Sequence, residues 1–158
     1  MRTFILSLFM LITLSATAQQ DRDTVLKRCP IFITDTVSAN NFFIEARPVT
    51  LKVFRVKGDL TIVVEQKDQF FSIFFRDKRL RITKYKISAF PDSKSEIAVK
   101  YSFRTADQVS YVSVASGTVE VVFDKEKELW LLKVNGLIAN LVERTTSYYR
   151  VKADLAIK

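Results

Sequence analysis

Side chains of alternating polarity recur along most of this chain, and the period-two pattern constrains the fold more than any other feature. In EIAVKYSFRT (96–105), apolar residues from Ile97 to Phe103 fall at every second position, and Lys100, Ser102 and Arg104 occupy the opposite parity. Successive side chains of a strand point to opposite faces of a sheet. The alternation therefore predicts a strand with one buried and one solvated face.

The rest of the chain repeats this signal, so we predict an all-β fold. Thirteen Phe and five Tyr suit pleated surfaces, and with three Gly and three Pro the turns must use Asn, Asp, Ser and Lys. About ten short strands with regular turns indicate an antiparallel β-sandwich, with a closed β-barrel as the alternative. The candidate strands are 31–37, 41–47, 49–57, 60–66, 69–75, 79–87, 96–105, 109–115, 117–123, 128–134, 137–144 and 148–157.

Two places in this assignment are less regular than the others. The segment LIANLVER (137–144) fits a helical stripe as well as an alternation, and Asn135-Gly136 before it is a hairpin signal that favours a strand. In RLRITKYKI (79–87) the apolar parity changes near Lys84, which predicts a bulge or bend.

The N-terminus resembles a cleaved secretory signal. Met1-Arg2 is followed by the apolar run FILSLFMLITL (4–14), and Ala16 and Ala18 stand at the small-residue positions of a cleavage site. The run is too short to span a membrane. We expect residues 1–18 to be a signal peptide and 19–158 to form a single all-β domain without a transmembrane segment, located in the periplasm or outside the cell.

The net charge indicates the class of binding partner, and the cysteine count indicates whether the fold can contain a disulfide. Loss of Arg2 with the signal leaves 24 basic against 17 acidic residues, a net charge of +7. A basic surface favours anionic partners, namely an anionic glycan, a lipid headgroup or an envelope protein. The single cysteine, Cys29, excludes an intrachain disulfide, and we interpret it as a small apolar residue.

The stretch QFFSIFFRDKRLRITKYKI (69–87) concentrates both aromatic and basic residues. QFFSIFF (69–75) has apolar side chains on both faces, as in a strand that is covered on both sides or lies beneath a ligand. The turn at 76–78 predicts a hairpin with the next strand. Six cations against one acid lie between 76 and 86: Arg76, Lys78, Arg79, Arg81, Lys84 and Lys86.

These six residues are the predicted binding site for an anionic partner, since guanidinium and ammonium groups bind phosphate, sulfate or carboxylate. Two other interpretations stay open: edge-strand cations that prevent sheet-to-sheet aggregation, and a solvated turn. Nucleic acid is disfavoured, because its binding needs aromatic residues interleaved with charge, whereas here the two kinds of residue fall in separate predicted strands. Export disfavours it further.

No catalytic residue, cofactor or metal site is predicted. The chain has no histidine and no phosphate-binding glycine motif, which removes the common triads and zinc sites. A carboxylate-based glycosidase would need two converging glutamates, for which Glu45, Glu65, Glu120 and Glu143 are the candidates. Because Glu120 lies between Val119 and Val121, we expect it to face solvent.

The run SGTVEVVFDKEKELWLLKVNGLIANLVE (116–143) resembles a strand–charged-turn–strand module of small exported bacterial β-sandwich proteins of unknown function. This chain differs from many of them in lacking a lipid-attachment cysteine. The resemblance implies a sandwich and a place in the envelope or outside the cell, and transfers no functional residue.

Together these observations predict an exported, non-enzymatic β-domain that binds or scaffolds a partner, with the basic segment 76–86 as the contact. A lipocalin-like barrel carrying a small apolar ligand is the first alternative, because the interiors of such barrels hold small molecules. The glycosidase is the second.

Overall fold

The computed structural model describes residues 22–38, 46–77, 79–88, 96–142 and 145–158, and these form ten β-strands. No helix long and apolar enough to cross a bilayer occurs in these ranges. The predicted strand at 41–47 falls largely outside them. The strands are β1 (Arg22–Leu26), β2 (Ile31–Asp35), β3 (Val49–Val56), β4 (Asp59–Gln66), β5 (Gln69–Phe75), β6 (Thr83–Ser88), β7 (Ile97–Thr105), β8 (Gln108–Asp124), β9 (Leu129–Val142) and β10 (Thr145–Ile157).

All strand pairs are antiparallel and belong to one curled sheet with the order β1-β3-β4-β5-β7-β8-β9-β10-β2, from which β6 branches at β8. We call β1, β3, β4, β5, β7 and residues 108–113 of β8 the first half-sheet. Residues 114–124 of β8 with β6, β9, β10 and β2 form the second half-sheet. The all-β antiparallel prediction is confirmed.

The two half-sheets face each other over a shared core, and this layered arrangement agrees in part with the predicted β-sandwich. Inward residues of every strand from β2 to β10 contribute to one apolar cluster. Across it, the ring of Phe75 in β5 lies 5.4 Å from that of Tyr85 in β6, nearly edge-on. Because a single sheet supplies both layers, the architecture is also a half-barrel.

The curl stays open between its two end strands. Within the described ranges, β1 pairs only with β3, and β2 pairs only with β10. Residues 27–30 alone link β1 to β2, so the Cα atoms of Leu26 and Ile31 are at most about 18 Å apart. Leu26 and Cys29 pack against the core at this seam, and the thiol of Cys29 donates to the carbonyl of Ile31 at 3.7 Å, in agreement with a structural role.

Strand β8 carries the chain from one half-sheet to the other. It pairs with β7 through residue 113, and with β9 and β6 beyond it, with a register shift between Val114 and Ser116. Gly117 has φ of +141°, and a Cβ there would overlap the carbonyl oxygen of Asn135 in β9. Glycine is required here because the two backbones approach too closely for any side chain.

Several predicted turns are wrong because the strands are longer than the sequence pattern indicated. Residues 109–115 and 117–123 are one strand, β8, with a bulge in place of a turn at Ser116. Asn135-Gly136 lies inside β9 and is not a hairpin. Segment 137–142 is strand, as predicted. β1 was not predicted at all, since RDTVL alternates too briefly to give a signal.

The predicted hairpin between 69–75 and 79–87 is also wrong. β5 pairs with β4 and β7, whereas β6 crosses to the second half-sheet and pairs with β8. The change of apolar parity near Lys84 arises because β6 begins only at Thr83, so the residues before it do not belong to the strand. Leu80 and Ile82 precede the strand, and within it Tyr85 and Ile87 face the core.

Candidate functional site

The predicted basic segment is divided among three settings, and Lys78 lies outside the described residues. Arg76 follows β5 and lines a groove at the end of the first half-sheet. Arg79 and Arg81 lie in the crossover before β6, and Lys84 and Lys86 are exposed on β6 itself. The segment as one anion-binding surface stays a prediction.

Arg81 has a structural partner on each side. Its guanidinium pairs with Asp77 through Nε and with Glu96 through Nη2, the latter at 3.2 Å. The hydrogen bond that Arg81 donates to Asp77, with the charges of both acids, raises the pKa of Arg81. The other oxygen of Asp77 accepts from the backbone N–H of Arg79 at 3.3 Å. Arg81 therefore holds the crossover against the start of β7.

Lys84 and Lys86 lie on an edge strand. β6 pairs with β8 on one side and with no strand of the described ranges on the other. Lys84 is in register with Glu120 of β8. This placement fits the edge-protection interpretation of these two lysines.

The outer face of the first half-sheet is unusually apolar for a surface. Phe74 of β5 is in register with Thr61, which is in register with Phe54 of β3. These rings shield the sheet so well that Thr61 is only 3% exposed and Ser72 only 8%. Phe70 adds a third ring, and the rings themselves remain half exposed. One apolar face of 69–75 therefore lies in the core. The other is outward, and no other described strand covers it.

Cations from β7 interleave with these rings. The Lys100 ammonium nitrogen lies 5.8 Å from the ring centre of Phe74 and 5.0 Å from that of Tyr111 in β8. The Arg104 guanidinium lies 5.9 Å from the ring of Phe70. No carboxylate of the described chain pairs with Lys100 or Arg104. We call Phe54, Phe70, Phe74, Lys100, Arg104 and Tyr111 the aromatic–basic face.

A groove of about 330 Å³ extends this face toward the β3–β4 turn. Its floor is apolar, and Lys57, Arg76 and Lys100 bring three positive charges to its lining against one negative charge, from Asp59. The floor side chains come from β3, β4, β5 and β7: Val56, Thr61, Phe74, Phe75, Ile97 and Ala98. Of the six residues predicted from the sequence, only Arg76 lines this groove.

One ion pair limits the positive charge elsewhere on this face. Lys52 Nζ lies 2.7 Å from the carboxylate of Glu65, and this hydrogen bond raises the pKa of Lys52. Lys100 and Arg104 over β7 therefore carry their positive charge beside the aromatic rings, without a carboxylate of the described residues paired to them. That is where an anion would gain most from the local field.

The glutamates of the glycosidase alternative do not converge where the structure describes them. Glu65 lies on the outer face of the first half-sheet, paired with Lys52. Glu120 is exposed on the outer face of the second, with Val119 and Val121 buried on either side, as expected. Glu45 and Glu143 fall outside the described residues.

Sequence reasoning identified the components of this face but not their proximity. The alternation in 96–105 already placed Lys100 and Arg104 on one side of their strand. From the sequence, the phenylalanines of 69–75 were compared only with the cations of 76–86, which fall in a separate predicted strand, and not with those of 96–105. In the structure β7 is the neighbour of β5, which brings Lys100 and Arg104 beside these phenylalanines.

Comparisons of the chain with protein-family models, with curated proteins and with solved structures returned no match.

Proposed function

We propose that this chain is an exported, non-enzymatic binding domain whose aromatic–basic face holds an anionic glycan. The observation that carries the proposal is the stacking of Lys100 and Arg104 against Phe70, Phe74 and Tyr111 on an open sheet face. Export rests on the leader-like N-terminus.

A charged sugar needs both parts of this surface. The apolar face of a sugar ring packs on an aromatic side chain, which presents a rigid surface at little cost in entropy. A carboxylate or sulfate substituent then pairs with a neighbouring ammonium or guanidinium group. From Phe54 on β3 to Tyr111 on β8 the sheet advances four strands, about 19 Å. The face therefore suits an extended polymer better than a single small anion.

The same geometry weighs against a membrane surface. Side chains that enter a bilayer interface protrude with their apolar ends free, as on an amphipathic helix, whereas Phe70 and Phe74 lie within a strand and are half-buried. Single-stranded nucleic acid also combines aromatic and basic contacts, and only the expected export disfavours it. The experiment below therefore includes a membrane surface and single-stranded nucleic acid as alternative ligands.

The test measures binding of the purified protein to dextran sulfate and alginate, with neutral dextran as the uncharged control. We expect binding to both charged polymers that weakens with salt, since exposed charges are screened. Lys100→Gln with Arg104→Gln removes two contacts of about 0.5–1 kcal/mol each, which corresponds to about 5- to 30-fold weaker binding. Phe74→Ala should weaken binding as well, by loss of the packing surface.

A matched control removes the same two charge types from the other side of the molecule. Arg150 and Lys152 are exposed on β10, on the outer face of the second half-sheet, and their double change to Gln should alter affinity less than about twofold. A third variant, with Lys84→Gln and Lys86→Gln, tests the segment predicted from the sequence. Loss of binding in that variant alone would move the contact to β6.

Two further ligands separate the remaining interpretations. Binding to a single-stranded oligonucleotide but to neither glycan would replace the proposal with nucleic-acid recognition. Binding only to anionic vesicles would replace it with a lipid headgroup contact. Equal affinity of the Lys100/Arg104 and Arg150/Lys152 variants for dextran sulfate would refute the assignment of this face.

A further inference from the structure

Among the described residues, the inner faces of the curled sheet are closely packed at one end and line an open cavity at the other. Toward the crossover, Phe75, Tyr85 and Ile97 are buried and close-packed. Toward the β7–β8 turn, a cavity of about 300 Å³ opens between the half-sheets. It is lined by Ile33, Tyr101, Phe103, Val112, Ile138, Asn140 and Tyr149.

All seven lining residues occupy inward positions of their strands. Tyr101 and Phe103 continue the parity of buried Val99, and Tyr149 continues that of buried Val151. The cavity thus lies on the inner side of the sheet, at the edge of the core, and is separate from the aromatic–basic face. The cavity opens to the surface, and its volume of about 300 Å³ is that of about ten waters.

The lining defines the chemistry of an occupant. The ring centres of Tyr101 and Phe103 lie 5.9 Å apart with 32° between the ring planes, so the two rings form one side of the cavity as adjacent, tilted surfaces. The Tyr101 hydroxyl donates to Oε1 of Gln69 at 3.0 Å, which fixes its ring, and burial raises the pKa of this phenol. The Asn140 side chain makes no hydrogen bond with the described residues, so its amide is available in a wall made otherwise of aliphatic side chains and aromatic rings.

We propose that this cavity binds a small, flat, apolar molecule of about ten non-hydrogen atoms that carries one hydrogen-bonding group for Asn140. Apolar walls with one or two placed polar groups are the usual design of small-molecule sites. This site is independent of the glycan face, and the two can succeed or fail separately.

The probes are 2-naphthol and naphthalene, which differ by one hydroxyl group, and binding is followed by calorimetry or by probe fluorescence. We expect saturable binding of both, with 2-naphthol bound about tenfold more tightly. Asn140→Leu should abolish this preference while naphthalene binding stays within about threefold. Absence of saturable binding to the unmodified protein would overturn the proposal.

A filled cavity gives the second test. Val112→Phe places a ring in the space, and we expect the variant to keep its fold and lose at least tenfold in affinity for both probes. The control is Val122→Phe, on the outward side of the same strand, which should bind as the unmodified protein does. Dextran sulfate binding should be unchanged in both. Undiminished naphthol binding by folded Val112→Phe, or equal loss in the two variants, would contradict the assigned site. If Val112→Phe fails to fold, the Asn140→Leu preference decides alone.

Discussion

We expect Gly117→Ala to destabilise the protein more than the addition of one methyl group at any other position of its strands. This glycine lies where β8 passes between the half-sheets, with φ of +141°. An L-residue held in such a conformation costs about 1–3 kcal/mol. The new Cβ would also overlap the carbonyl oxygen of Asn135. Relief of that overlap would separate β8 from β9 and weaken a cross-strand hydrogen bond worth about 1 kcal/mol.

The expected loss is therefore about 2–4 kcal/mol out of a typical total of about 5–15. At about 4 °C per kcal/mol for a domain of this size, the Tm should fall by about 8–16 °C. Urea unfolding followed by the fluorescence of Trp130, the only tryptophan, gives the free energy of unfolding. Ser116→Ala, at the exposed neighbouring position, is the control and should change stability by less than about 0.5 kcal/mol. Equal stability of the two variants would refute the close approach of β8 and β9.

Three further predictions concern the core, the open end and the edge. Phe71→Ala should cost about 3–5 kcal/mol in urea unfolding because Phe71 is fully buried, whereas Phe70→Ala on the outer face should cost less than half as much; equal costs would contradict the assigned faces. Burial raises the pKa of Tyr101, so the unfolded phenol ionises first as pH rises past about 10 and stability is lost above that pH; the loss in unfolding free energy should be smaller in Tyr101→Phe, and identical alkaline slopes would exclude this cause. Lys84→Thr with Lys86→Thr should increase light scattering of the concentrated protein, because it removes the charges from an edge strand; unchanged scattering would leave the edge protected by other means.

Side-chain parity is what the sequence predicted best. In 96–105 the alternation placed Val99 inward and Lys100 outward, and the structure agrees. In the candidate strand 148–157, Val151 and Leu155 share one parity, and both are buried. Parity is local, because each residue's face follows from its position in the strand.

Strand partners could not be predicted in the same way. Pairing joins residues distant in sequence, and β5 lies beside β7 because β6 leaves for the other half-sheet. The proximity of Lys100 to Phe74, on which the candidate face rests, follows only from that order. A bulge such as the one at Ser116 is likewise a tertiary feature, since it appears only where β8 changes neighbours.

The candidate face could have been foreseen in one respect. The strand 69–75 carries phenylalanine on both faces, and the pattern indicated either a second covering layer or a ligand. The structure places Phe71 in the core and leaves Phe74 half exposed beside Lys100. What the pattern could not supply was the chemistry of the neighbours.

Hydroxyl-radical footprinting with and without dextran sulfate tests the central claim most directly, because two exposed tyrosines report on opposite sides of the molecule. Tyr111, 66% exposed, belongs to the aromatic–basic face, and Tyr148, 48% exposed, belongs to the second half-sheet. The account predicts that the polymer reduces oxidation of Tyr111 at least threefold and leaves that of Tyr148 unchanged. Protection of Tyr148 with Tyr111 unaffected would contradict it.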